Sequence, residues 1–178
     1  QNCLELGIRV QLNFVTTPLN KTDHKAYVAF VHRNFRRPFR LRELLLPRFP
    51  TITFSVLSPQ GWGEQHQQPL VRLTEVADSV KHALELAKKL KVEVRIPGLC
   101  GFPACFLPSH AHHFDELYEE EKVDVHARQY LEACEACAFE ARCSGYWRGY
   151  FAQHGVAEFK AVPANIPFPR RSFFSSRR

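Results

Sequence analysis

Cys134-Glu135-Ala136-Cys137-Ala138-Phe139-Glu140-Ala141-Arg142-Cys143-Ser144-Gly145 holds three of the six cysteines in this 178-residue chain. The spacing is Cys-x2-Cys-x5-Cys. Two intervening residues let one turn aim two thiolates at a single ion or cluster. Cys143 returns from the other side, and Gly145 is expected to let the backbone pass close to whatever is bound. Three thiolates are one short of the four that a tetrahedral zinc or a cubane iron–sulfur cluster takes. The fourth has to come from upstream, where Cys100 and Cys105 stand in a Gly/Pro-rich stretch. The rest of the chain reads as a scaffold holding this small site beside a larger one.

A chain of this length can bury one core and carry a small appendage. It has no long apolar run, so no membrane-spanning segment is expected. Gln1-Asn2-Cys3-Leu4-Glu5-Leu6-Gly7 lacks the form of a signal peptide. There is no methionine, which leads to the expectation of a fragment without its N-terminal half. Clustered cysteines without an export signal favour a metal or cluster in a reducing compartment, the cytoplasm, over three disulfides. The net charge is +6, much of it between Arg33 and Arg48 and in Arg170, Arg171, Arg177 and Arg178. Solvated surface and a frayed end account for both. Nucleic-acid binding ranks last, because no aromatic-rich motif accompanies the charge.

Upstream of the cysteines, strand and helix patterns alternate. Residues 9–16 put Val10, Leu12 and Phe14 on one face and Gln11, Asn13 and Val15 on the other. Asn20 or Thr22 is expected to cap the next helix, with Tyr27, Phe30, Val31 and Phe35 as its apolar stripe and Pro38 as its stop. Residues 51–57 alternate again, with Ile52, Phe54 and Val56 opposite Thr51, Thr53 and Ser55. A helix over about 74–90 carries Val76, Ala77, Val80, Ala83, Leu84, Ala87 and Leu90 on one face. Glu75 and Asp78 open it, and Lys88 and Lys89 close it, as the helix dipole prefers. Residues 91–96 give a third strand.

This order predicts an α/β fold with parallel pairing. It is half of a barrel, with a wall apolar outward and polar inward; an open sheet with one wet face fits the same periodicity. Residues 115–121 read as the solvated start of a helix that runs through Leu131 and delivers Cys134. Tyr146, Trp147, Tyr150 and Phe151 read as the packing of a mini-domain. His110, His112 and His113 read as a polar loop rather than a metal site, and Cys3 as a buried small hydrophobe.

Taken in order, these pieces resemble the C-terminal portion of radical S-adenosylmethionine (SAM) enzymes with a SPASM- or twitch-type auxiliary cluster domain. Leu6-Gly7-Ile8-Arg9-Val10-Gln11-Leu12-Asn13-Phe14-Val15, with Asn20 beyond, is similar to the fourth barrel strand. Thr53-Phe54-Ser55-Val56, with Pro59 and Gly61, is similar to the fifth. Residues 92–103 and then Cys105-Phe106-Leu107-Pro108 are similar to the sixth and to the exit into the auxiliary domain. Cys134-x2-Cys137-x5-Cys143-x-Gly145, then Tyr150, Gly155 and Glu158-Phe159, is similar to the auxiliary cluster motif.

The resemblance implies the C-terminal half of a partial (β/α)6 TIM-like barrel (1–108), a small cysteine-rich auxiliary cluster domain (109–162) and a basic disordered tail (163–178). It implies one auxiliary 4Fe-4S cluster on Cys105, Cys134, Cys137 and Cys143, with Cys100 as alternative to Cys105 and zinc as the alternative metal. By analogy, Asn13, Asn20 and Ser55 would touch S-adenosylmethionine, ordinary lumen or turn roles being the alternative. Two features depart from the pattern. The chain lacks the SAM-cleaving cysteine triad, and Trp147 stands where fuller patterns have a further cysteine. The expectation is a chain that does not cleave SAM alone and needs a missing N-terminal half or partner chain. The substrate is open, with peptides or proteins expected at family level. The alternative is a non-catalytic zinc- or iron–sulfur-binding interaction module.

Overall fold

The computed structural model describes residues 3, 6, 8–35, 49–59, 69–118 and 126–166. The arginines within 36–48, the glycines at 61 and 63, the acidic residues 119–121 and the tail beyond 166 lie outside the described residues. Strands β1 (Gln11–Thr16), β2 (Thr51–Val56) and β3 (Val94–Arg95) form a parallel sheet in that order. Helices α1 (His24–Asn34) and α2 (Leu73–Leu90) lie in the connections between them. The register pairs Leu12 with Ile52, Phe14 with Phe54 and Ile52 with Val94, so the apolar residues form rows on one face. Phe14 and Phe54 meet His24 of α1 at ring separations of 4.8 and 5.0 Å. Val28, Val31, Val76, Val80 and Leu84 are buried in the same core. The strands follow one another in sequence order, and the two helices pack together in the same core. The sheet is three strands wide, and no closed barrel forms among the described residues.

Several boundaries differ from expectation for local reasons. Lys91 ends α2 with a left-handed φ of 57°, and Val92 N–H bonds back to Ala87 O at 3.0 Å. Strand geometry therefore begins only at Val94, and Ile96 pairs with Phe114. The residue at the start of α1 is Asp23, which makes no side-chain cap bond. Asn20 is used one turn earlier: Thr17 N–H donates to its Oδ1 at 2.7 Å, and its Nδ2 donates to Val15 O at 3.0 Å. The buried face of α1 is His24, Val28 and Val31, and Phe30 is exposed. Cys3 is exposed as well, because it lies ahead of β1 and outside the core.

After β3 come three short 3-10 turns, Ala104–Phe106, Pro108–His113 and Asp115–Tyr118. No helix runs to Leu131. Residues 126–127 form a turn, and β4 (Arg128–Gln129) pairs antiparallel with β5 (Tyr146–Trp147). Pairing with β5 sets Arg128 against Trp147 in the interior, and this tertiary contact outweighs local helix preference. Helix α3 (Arg148–His154) follows. Tyr146, Trp147, Tyr150 and Phe151 are buried as expected, in one core continuous with the sheet. Leu73 N–H donates to the Tyr150 hydroxyl at 2.9 Å, and that hydroxyl donates to Glu158, which also accepts from Thr74 Oγ1 at 2.9 Å. No helix among the described residues is long and apolar enough to cross a membrane.

His24 sits between Thr16 Oγ1 at 2.9 Å and Ser79 Oγ at 3.0 Å. Burial lowers its pKa to about 4, against smaller opposing effects from the Lys21 backbone and the Asp23 charge. The unfolded chain binds this proton more tightly. His24 therefore contributes fully above pH 6.5, and the contribution is lost as the pH falls toward about 4. Between pH 7.5 and pH 4.5 the loss is about 2–3 kcal/mol. Urea unfolding should show that much more pH dependence in the native chain than in His24→Leu.

Candidate metal or cluster site

A run of tight turns builds the cysteine segment. Cys134 N–H bonds to Leu131 O at 2.8 Å, Cys137 N–H to Cys134 O at 3.0 Å, and Cys143 N–H to Phe139 O at 2.8 Å. Buried Phe139 pins the middle of the run to the core. Cys105 arrives from the β3 side in the turn Ala104–Phe106. Burial raises the Cys105 pKa most, and Cys143, Cys137 and Cys134 each raise it further. The Cys143 thiol is pushed up to about 12 by burial, then by Glu116, with Cys134 and Cys137 adding to it. The four thiols therefore share one neighbourhood. Cys100 lies apart from it. Burial raises the Cys100 pKa and the Arg128 charge opposes this, while the Cys100 carbonyl accepts Val56 N–H at 2.8 Å beyond the end of β2.

Two backbone amides already point at sulfur. Leu131 N–H reaches Cys134 Sγ at 3.5 Å, and Val162 N–H reaches Cys137 Sγ at 3.4 Å. Such bonds fix the direction in which each sulfur points. A four-sulfur donor set suits either an iron–sulfur cluster or structural zinc. Among the described residues, no three His, Cys, Asp or Glu groups are placed to hold a metal ion. With Zn–S bonds of about 2.3 Å, zinc would need the sulfurs roughly 3.8 Å apart. A cubane cluster sets its cysteines on the corners of a larger body and suits a looser set. A cleft of about 530 Å³ opens beside Cys134, lined by Tyr130, Leu131, Glu132, Glu135 and Glu140, so this side of the site faces solvent.

Two contributors to the site carry no spacing signal in the sequence. Glu116 falls in the stretch expected to be solvated, yet it is 6 % exposed and its Oε2 accepts Ser144 N–H at 3.4 Å. Its neighbours Phe114 and Leu117 are buried and draw the turn inward. Arg128 is also 6 % exposed. Its guanidinium donates to Gly98 O at 2.5 Å, Leu99 O at 2.6 Å and Gly145 O at 3.4 Å, and lies 4.5 Å from the centre of the Trp147 ring. It thereby ties the exit of β3 to the cysteine segment.

Asn13 and Ser55 meet on the polar face of the sheet, where Ser55 Oγ donates to Asn13 Oδ1 at 2.9 Å. Asn20 stays in its turn beyond β1. The polar wall continues through Thr51, which donates to Glu93 at 3.3 Å, and through Arg95, paired with Asp115 at 2.8 Å. Glu93 and Arg95 were legible in the alternation of residues 91–96. The chain matches no protein-family model, no curated protein and no solved structure.

Gly145 has a φ of 71°, and a Cβ there would lie 2.5 Å from Gln129 O. The close approach is to β4. Gly145→Ala combines a left-handed backbone penalty with a backbone clash and should destabilise the fold by about 2–4 kcal/mol. The readout is a lower urea midpoint at unchanged slope.

Proposed function

We propose that this chain is the auxiliary-cluster portion of a radical SAM enzyme, with Cys105, Cys134, Cys137 and Cys143 holding one 4Fe-4S cluster. The observation that carries this is the meeting of Cys105 with the Cys-x2-Cys-x5-Cys segment in one half-buried neighbourhood, with Cys100 apart from it. Sequential parallel strands with a polar face support the barrel half. When bound, such a cluster supplies one-electron transfer. The Leu131 and Val162 amides fix the direction of the Cys134 and Cys137 sulfurs. Arg128 fixes the β3 exit against the cysteine segment. Asn13, Ser55, Glu93 and Arg95 furnish a polar wall for S-adenosylmethionine and substrate, and Asn20 shapes the turn at the end of β1. Peptide or protein is the proposed substrate class. Six unpaired cysteines suit the cytoplasm.

The proposed partner is a missing half or separate chain that brings the SAM-cleaving triad. Strand β1 is a sheet edge whose sequence, Gln-Leu-Asn-Phe-Val-Thr, has no charge or proline to block pairing. Leu6, Ile8, Val15 and Leu19 are exposed around it. The absence of that triad from the chain favours a second reading, a non-catalytic zinc- or iron–sulfur-binding module.

Anaerobic reconstitution, followed by iron, sulfide and zinc analysis and an electron paramagnetic resonance spectrum of the reduced protein, separates the two. About four irons and four sulfides per chain are expected. They should be lost in Cys105→Ala and Cys134→Ala and kept in Cys100→Ala. Roughly one zinc and no sulfide would leave the structural-metal module.

A further inference from the structure

The three histidines after Cys105 form a stack. Ring centres of His112 and His113 lie 4.2 Å apart, and His110 lies 6.4 and 6.5 Å from them, at interplanar angles of 24° and 21°. They sit on the turn Pro108–His113, which is kinked at His110. His113 Nδ1–H donates to Val94 O at 2.8 Å, which assigns its tautomer. His110 Nδ1 meets Ser109 Oγ at 3.0 Å. The closest pair, His112 and His113, is tilted by 40°, and no metal-holding group is found here among the described residues. The backbone of this segment is held by Ile96 N–H to His113 O at 2.8 Å, Asp115 N–H to Ile96 O at 2.9 Å and Phe114 N–H to Ala111 O at 3.1 Å.

We propose that the His110–His112–His113 cluster is a proton-operated latch, holding the segment Pro108–His113 against the end of β3 at neutral pH and releasing it on acidification. Helix α2 faces the cluster with Lys81, Glu85 and Lys88, spaced to share one of its faces. Protonating three rings would crowd five cations around one anion. Neutral rings avoid that and stack instead. Burial lowers the pKa of all three. Glu85 opposes it at His110, the Val94 bond opposes it at His113, and Lys88 adds to the lowering throughout. His113 falls to about 4. All three folded-state values lie below the ordinary 6.5, so the latch is closed above pH 6.5 and loses stability as the pH falls from there toward about 4. The segment follows directly on the turn bearing Cys105, so its release loosens that branch of the site. The latch itself stands whether or not the cysteines hold a cluster.

Residue-resolved hydrogen exchange from pH 7.5 to pH 5, corrected for the intrinsic pH dependence of exchange, tests this on the full chain. Protection at Ile96, Phe114 and Asp115 should drop by about tenfold or more relative to Val80 and Leu84 of α2. Lys88→Gln, a surface change, should make the drop smaller, because it lifts one cause of the lowered folded-state values. His113→Gln, whose amide can keep a donor for Val94 O, should remove most of the drop, and His110→Gln/His112→Gln a smaller part. Unchanged protection overturns the latch. So does a parallel loss at all five amides, which would mark global acid unfolding, or the same drop in His113→Gln.

Discussion

Arg128 brings its guanidinium into the interior, and among the described residues no carboxylate is paired with it. A buried guanidinium needs acceptors and a partner that spreads its charge. Here three backbone carbonyls accept from Nη1 and Nη2 and the face of Trp147 lies alongside, while Nε has no partner among the described residues. The carbonyls come from both sides of the molecule. Gly98 and Leu99 belong to the loop leading from β3 toward Cys105, and Gly145 follows Cys143. One side chain therefore fixes how the two cysteine-bearing branches approach each other. The pairing of β4 with β5 exists in the same arrangement, since it sets Arg128 over the indole. Removing the guanidinium would leave carbonyls unpaired in the core, which costs more than a surface ion pair returns.

The sheet has a comparable division of labour. Its apolar face is filled by the two helices and by the Phe14–His24–Phe54 aromatic group. Its polar face is tied across strands by Gln11 to Thr53, Ser55 to Asn13 and Thr51 to Glu93. Such cross-strand bonds hold register as well as satisfying the side chains. Thr53 and Ser55 are buried, so these bonds also supply the partners that their hydroxyls need in the interior. Its free edge, β1, also has the uncharged sequence that an incoming strand would tolerate.

Periodicity carried the first part of the chain well. The seven-residue alternation at 51–57 and the long amphipathic pattern at 74–90 correspond to β2 and α2, because in both the buried face is continuous and the pattern needs no outside partner. The pattern was weaker where a residue serves a turn or a distant segment. Asn20 looks like a helix cap, but its amide closes the preceding turn. Cys3 looks like core, yet no core reaches it. Residues 126–129 favour helix locally, while their role is decided by a strand seventeen or more residues away, at Tyr146 and Trp147. For the site, spacing disclosed Cys134, Cys137 and Cys143. Glu116 and Arg128 were invisible because single charged residues look alike whether they are solvated or clamped inside.

The candidate site is assembled by the fold but resisted by electrostatics. Cys105 and Cys143 are half-buried, and each further negative sulfur makes the next ionisation harder. Glu116 adds to this at Cys143. Two N–H···S bonds offset only a fraction of four developing charges. Arg128 spends its donors on carbonyls and acts on Cys100 instead. A cationic group entering the site would supply the missing compensation and displace thiol protons as it binds. Cys105 and Cys143 are thus favoured as thiols, and the segment meets solvent at Cys134, beside the cleft. The same burial that makes the thiolates unfavourable alone would strengthen their hold on a bound cation, because little water competes for either partner.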